Sequence, residues 1–218
     1  MRIEKEIKLQ QQPIISTEIS SKKLVSVNDV CNILNQFHIQ INKLDKAIHN
    51  DTYFDTDNFL LYSTDASLRI RHDETRIILK KKTEPHFQAL CRKEWQNYLV
   101  KGQNTLDAVN EMFHKHIGME LVYPKLGIHL IRESIYVTTD SGKYQICLDE
   151  YVCQVINKEI SQSHFEIEIE TIISTSQNDI ILEQFICNII EKFNFKYIHQ
   201  SKYHIAISAY MKRRTFHE

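Results

Sequence analysis

The residues able to do chemistry in this chain are charges set at every second position. Glu4, Glu6 and Lys8 stand opposite Ile3, Ile7 and Leu9, with Lys5 interrupting the apolar row. Arg69 and Arg71 alternate with Leu68 and Ile70, Arg76, Lys80 and Lys82 with Ile77 and Leu79, and Arg92 and Glu94 with Cys91 and Trp95. Arg132 alternates with Ile131, Asp149 with Leu148, and Glu166, Glu168 and Glu170 with Phe165, Ile167 and Ile169. A period of two places each charged row on one face of a strand. Like charges repeated along a face are unfavourable unless something of opposite sign lies between them. An acidic row wants a divalent cation; a basic row wants a polyanion. Both rows inside one closed sheet describe a metal-bound phosphate chain. The competing reading is a set of solvated faces with scattered cross-strand ion pairs, each worth about a few tenths of a kcal/mol.

Holding such rows in place takes strands. Alternation marks them over 2–10, 44–54, 66–72, 75–82, 88–99, 121–137, 143–150 and 164–171, with Asp73-Glu74 and Asp140-Ser141-Gly142 as hairpin turns. Helical spacing is confined to four segments. Residues 26–37 start with Ser26 and Asp29 placed as a capping box, and 106–117 start after a Thr105 cap and stop at Gly118. Residues 178–193 carry Leu182, Phe185, Ile186, Ile189, Ile190 and Phe193 on one face, and a shorter helix runs over about 201–210. No linker and no internal repeat interrupts the pattern. The expectation is a single α+β domain over residues 1–218.

Composition narrows the chemistry further. The chain has 218 residues, 27 Lys+Arg against 28 Asp+Glu, a net charge of −1 and 42% hydrophobic residues, which describes a soluble domain with a real core. The near-zero balance argues against coating nucleic acid by bulk charge. With four Gly and no GxxxxGK or GxGxxG, any phosphate must be held by side chains. The cysteines Cys31, Cys91, Cys147, Cys153 and Cys187 form no CxxC, so they read as free thiols of a reducing compartment. His114 and His116 lie two apart in a helix, about 200° apart in direction, and cannot share a metal. No stretch approaches the roughly 20 apolar residues of a membrane helix, and the N-terminus lacks a signal-peptide core, so the expected compartment is the cytoplasm, away from membranes.

The charged rows also form recognisable motifs. Glu4-x-Glu6-x-Lys8 resembles the ExExK motif of the CYTH superfamily, the triphosphate tunnel metalloenzymes, and the likeness runs along almost the whole chain. Tyr53-Phe54-Asp55-Thr56 resembles the family's YFDT, Leu68-Arg69-Ile70-Arg71 its LRxR, and Ile78-Leu79-Lys80 its LK strand. Arg92-Lys93-Glu94, Arg132 before Tyr136, Leu148-Asp149 with Phe165 to Glu170, and Ser201-Lys202-Tyr203 follow in the family's order. The resemblance implies an eight-stranded antiparallel β-barrel, a tunnel, with helices packed on the outside. It also implies a triphosphate substrate and Mg²⁺ or Mn²⁺. Relatives include inorganic, thiamine and RNA triphosphatases and class IV adenylate cyclases.

Residue by residue, the resemblance makes Lys8, Arg69, Arg71, Lys80, Arg92, Arg132 and Lys202 the phosphate-binding groups. Arg grips phosphate bidentately; Lys acts as a point charge. Glu4, Glu6, Glu168 and Glu170 are the first metal ligands, with Asp149 next, since hard divalent cations take oxygen ligands and keep waters. Glu6, Glu168 and Lys80 are the catalytic group. Glu94 and Glu166 are as suited to orienting an arginine as to touching metal, and Lys5 and Glu133 fall on the opposite face. The clustered acids should carry raised pKa values while empty of metal. Metal-dependent hydrolysis of inorganic triphosphate is the expected activity. The alternatives are thiamine or nucleoside triphosphate hydrolysis, cyclisation, and non-catalytic sensing of triphosphate or polyphosphate. Three departures matter. Lys81-Lys82-Thr83 replaces the family's Gly-Pro and should add charge at the tunnel mouth, no His-Phe precedes Glu4 as in class IV cyclases, and Trp95 points to the helix-covered face. No helical CHAD-type partner domain is expected.

Overall fold

A strand ten residues long can pair at both edges, and the first strand uses that length to close the sheet. The structure, a computed structural model, describes residues 2–11, 25–83, 90–156, 161–174 and 179–214. Along the chain these form β1 (Arg2–Gln11), α1 (Val27–Gln36), β2 (Gln40–Asp55), α2 (Leu60–Ser63), β3 (Ala66–Arg71), β4 (Arg76–Lys82) and β5 (Leu90–Tyr98). There follow α3 (Thr105–His116), β6 (Tyr123–Thr139), β7 (Gly142–Val155), β8 (Ser161–Ser174), α4 (Ile180–Phe193), β9 (Phe195–Ile198) and α5 (Lys202–Arg214). The strands pair in the order β5-β4-β3-β2-β6-β7-β8-β1, and β1 returns to β5. Every pairing is antiparallel, and the result is a closed eight-stranded barrel with β9 as an extra strand on β1. Closure removes the exposed edges that an open sheet would leave. It also sets Glu6 across from Glu170 and Lys8 across from Glu168.

Helices cover the apolar rows. α1 and α4 bury Val30, Ile33, Leu34, Phe185, Ile186 and Ile189 against Leu9, Ile146, Leu148, Ile167 and Ile169. α3 lays Val109, Met112 and Phe113 over Leu68, Ile70, Ile77 and Leu79. Trp95 sits on that side and stacks on His116, 4.8 Å between centroids. α5 behaves differently. Its Tyr203, Ala206 and Ile207 pack on Leu126, Ile128, Leu130, Tyr151 and Cys153, which share the parity of the charged inward rows. The interior is therefore charged along one part and apolar along the rest, and α5 lies across the apolar end.

Local chemistry sets the element ends. Ser26 and Asp29 form the reciprocal capping box expected of α1. The cap of α3 is Asn104, whose side chain accepts the amides of Leu106 and Asp107; Thr105 is already helical, a correction of one residue. Asp179 caps α4, which starts at Ile180. Two short elements, α2 and β9, carry too few residues to show a period. Among the described residues no helix is long and apolar enough to cross a membrane.

Candidate active site

Inward parity gathers the charged rows around one cavity. An inner chamber of about 440 Å³, counting space open to solvent, is lined by Glu6, Lys8, Arg69, Lys80, Arg92, Arg132, Glu168, Glu170 and Lys202, together with Tyr53, Ser67, Ile78 and Ser201. It continues through Arg69, Ile78, Lys80, Arg132 and Glu170 into an outer chamber of about 930 Å³ that holds Arg71. One of the expected site residues stands apart: Asp149 is fully buried and lines neither chamber. Glu4 pairs with Arg92 in the β1–β5 register, and its side chain lies outside the described residues.

Glu168 is the hub. Its Oε1 takes Lys202 Nζ at 2.6 Å and also Lys8 Nζ, while its Oε2 takes Arg132 Nη2. Asp149 is gripped bidentately by Arg132, with Nε to Oδ1 at 2.7 Å and Nη2 to Oδ2 at 2.6 Å, and Lys202 Nζ adds a contact to Oδ2 at 2.8 Å. Glu166 lies 3.3 Å from Lys202 and accepts the Tyr151 hydroxyl. Glu94 pairs with Lys80 at 3.1 Å and accepts from Gln96. Glu94 and Glu166 thus each face a lysine. Lys5 is exposed and Glu133 pairs with Lys46 at 3.3 Å on the outer face.

This interleaving reverses the expected rise in pKa at Glu168. Burial alone would raise Glu168, but Lys202, Lys8 and Arg132 outweigh it and hold the group well below the ordinary range. Asp149 is likewise lowered by Arg132 and Lys202 against its burial. Lys202 is pushed well above its ordinary value, because Asp149, Glu168 and Glu166 outweigh desolvation. An acidic row seen alone predicts repulsion; the basic groups that meet it across the barrel reverse the sign. Burial pushes the Cys147 and Cys153 thiols up to about 12, which leaves them protonated and inert.

Some buried groups in the inner chamber are not satisfied. Glu6 Oε1 has no hydrogen bond, with Arg92 Nη1 at 3.6 Å and Lys8 Nζ at 3.9 Å both too far. Arg92, 4% exposed, has Nε and Nη2 without a hydrogen-bond partner, and Arg69 Nε is in the same state. One carboxylate oxygen from each of Glu6, Glu168 and Glu170 lies within 4.8 Å of the other two. An unsatisfied buried acceptor beside unsatisfied buried donors costs stability unless a ligand serves both.

The sequence reading missed the residues of β2. Asp51, 3% exposed, takes Arg71 Nε at 2.9 Å and Nη2 at 3.0 Å, and lies 3.0 Å from Arg69 Nη1. Tyr53 accepts Arg69 Nη1 at 2.9 Å. His49 and Asp73 are 2.7 Å apart at the outer chamber, and together with Glu74 they form a second close group. Parity would have found Asp45, His49, Asp51 and Tyr53 as one inward row; its mixed composition hid it. Lys81 is exposed and Lys82 pairs with Asp65 at 2.7 Å; neither lines either chamber.

Comparison with known proteins agrees with the barrel fold. A model of the CYTH domain matches residues 16–194. A solved structure from Hippeastrum, described as a candidate adenylyl cyclase with a dominant triphosphatase activity, superposes with a TM-score of 0.58 at 16% identity, covering 94% of this chain and 96% of that one. A candidate adenylate cyclase from Bacillus halodurans gives 0.46 at 18% identity over 93% and 96%. The capping-enzyme triphosphatase of Mimivirus gives 0.43 at 14% identity over 87% and 89%. No curated protein sequence matches the chain. At 16% identity the likeness to the Hippeastrum structure speaks for the fold alone.

Proposed function

The chain belongs to the CYTH domain family, and from that premise we propose that it is a metal-dependent triphosphatase, with inorganic triphosphate as its first substrate. Residues 1–218 are read as one tunnel domain. The observation that carries the reading is the pairing of opposite defects in one chamber: Glu6 Oε1 accepts no hydrogen bond, with its nearest cations at 3.6 and 3.9 Å, and Arg92 and Arg69 have N–H groups that donate to no acceptor. A magnesium or manganese triphosphate answers both at once.

Glu6, Glu170 and Glu168 have the oxygens and the spacing to hold the cation. Bound there, Mg²⁺ or Mn²⁺ supplies charge neutralisation and a more acidic water. Arg92 and Arg69 direct their unused N–H groups at phosphate oxygens, and Arg132, Lys8 and Lys202 turn from Glu168 toward the substrate as it enters. Their departure would leave Glu168 free to serve the cation and to orient a water beside it. Lys80 faces the developing charge on the phosphoryl group. Asp149, with both oxygens already occupied, acts as the seat of Arg132 and Lys202 instead of a ligand.

A second reading has its own support. The outer chamber carries Tyr136, Gln96, Gln145 and His49, which suit an organic group attached to the triphosphate. Turnover of inorganic, nucleoside and thiamine triphosphates with Mg²⁺ or Mn²⁺ separates the readings, with phosphate, pyrophosphate and cyclic AMP measured individually. Phosphate release from inorganic triphosphate that collapses in Glu168→Gln is the expected result. Equal background release from wild type and variant, with tight binding retained, would make the protein a sensor.

A further inference from the structure

Asp55 reaches neither chamber, yet its carboxylate is completely buried and fully used. Its Oδ1 accepts the amides of Thr56 at 2.7 Å and Leu61 at 2.8 Å. Its Oδ2 accepts the Tyr62 amide at 3.0 Å and the Tyr203 hydroxyl at 2.6 Å. Three of these bonds fasten α2 and the turn before it to the end of β2. The fourth crosses to α5. The backbone around α2 is tightly folded as well, for Phe59 and Asp65 flank it at φ 58° and 51°, a left-handed region that side chains other than Gly adopt at a cost.

The first turn of α5 is tied to this brace at several points. The Tyr203 ring lies flat on Tyr53, with centroids 5.6 Å apart. His204 stacks on Tyr62, and its Nε2 lies 3.0 Å from the Tyr62 carbonyl. Ser201 Oγ accepts the His204 amide at 3.2 Å and so caps the helix. Lys202 lies between these anchors, and its Nζ sits among Glu168, Asp149 and Glu166. A lysine has a long, rotamer-rich stem, so the place of its tip is set by where its backbone is held.

We infer that Asp55, acting through the Tyr203 hydroxyl, is the positioning residue for Lys202. The Asp55–Tyr203 bond holds the first turn of α5 so that the ammonium group reaches the carboxylates at the inner end of the tunnel. Loss of that bond loosens the turn, which is then left to the ring contacts of Tyr203 and His204, and the ammonium group loses its fixed position. The catalytic half of the inference rests on the triphosphatase reading; the positional half does not.

The test uses the full chain and the Tyr203→Phe variant, which removes a single oxygen and keeps the ring on Tyr53. Brief acetylation of lysines, read by peptide mass, should label Lys202 several-fold faster in the variant. Exposed Lys43 and Lys46 should be labelled equally in both proteins. With inorganic triphosphate and Mn²⁺, KM should rise on the order of tenfold in Tyr203→Phe. The same change made in a Lys202→Met background should have no further effect, because its route of action is gone. Equal Lys202 labelling would overturn the inference, and so would losses that simply add in the double variant, the mark of a general structural role. Asp55→Asn, which weakens the same bond from the other side, repeats both readouts should Tyr203→Phe fold poorly. A wild-type protein without turnover would end the triphosphatase reading, while the labelling experiment would still decide the position of Lys202.

Discussion

The two chambers of the tunnel share a wall and a composition, but they treat their charges differently. In the outer chamber carboxylates meet the arginines: Arg71 grips Asp51 bidentately, and Arg76 reaches Glu74 at 2.5 Å with only its Nε left without a hydrogen bond. In the inner chamber Arg92 and Arg69 keep N–H groups without hydrogen-bond partners and Glu6 keeps a bare oxygen. Asp51 holds its neighbours for the sake of the fold; Glu6 and Arg92 are held by the fold for something else. Charge alone does not mark a binding site. Buried charges of opposite sign left unsatisfied side by side do.

Removing an inner charge should therefore damage function more than stability. Glu6→Gln should lower metal-dependent kcat by on the order of 10²-fold or more, with a melting temperature equal to or above wild type. A large loss of melting temperature would place Glu6 among the structural charges. The outer chamber should answer in the opposite sense. Asp51→Asn strands Arg71 and Arg69, and breaking a buried pair from one side costs about 3–5 kcal/mol, so the variant should melt several degrees lower. Arg92→Met comes next in size. A lost charge-assisted contact is worth roughly 1.5–3 kcal/mol, so triphosphate affinity should fall about tenfold or more while melting changes little.

The smallest effect is on pH. Arg69 and Arg71 outweigh burial and hold the Asp51 carboxyl below its ordinary value. Folding is thus favoured by its ionised form: the contribution is complete above the unfolded value of about 4 and is lost as pH falls through the lower, folded one. Wild type should lose stability more steeply than Asp51→Asn as the pH is lowered below about 4. Parallel curves would remove Asp51 from the account.

The barrel was legible because a strict period of two, kept over several strands, has one economical explanation. Glu168 with Glu170 and Arg69 with Arg71 could be assigned a face without knowing their neighbours. The register was not legible, and with it went the sign of the Glu168 shift, since Lys8, Lys202 and Arg132 approach it from three other elements. Asp51 stayed hidden, and Tyr53 stood out only as part of a motif, because their row on β2 mixes Asp, Ala, His and Tyr. α2 was invisible for a different reason: four residues have no period, and what makes them helical is a carboxylate, Asp55, placed before them. The inward turn of α5 also lies beyond periodicity, because Leu126, Ile128 and Leu130 look like any apolar row until the barrel closes around them.

Thermal unfolding of the wild-type protein with and without saturating Mn²⁺ or Mg²⁺ plus inorganic triphosphate tests the central claim most directly. A ligand that completes the inner chamber binds the folded state alone, so at about 100 times its Kd it should add about 2.7 kcal/mol and raise the melting temperature by several degrees. The rise should need metal and triphosphate together for its full size and should shrink in both Glu6→Gln and Arg92→Met. A melting temperature unmoved by either metal with triphosphate would contradict the account, for it would mean that the bare oxygen of Glu6 and the open N–H groups of Arg92 await no such ligand.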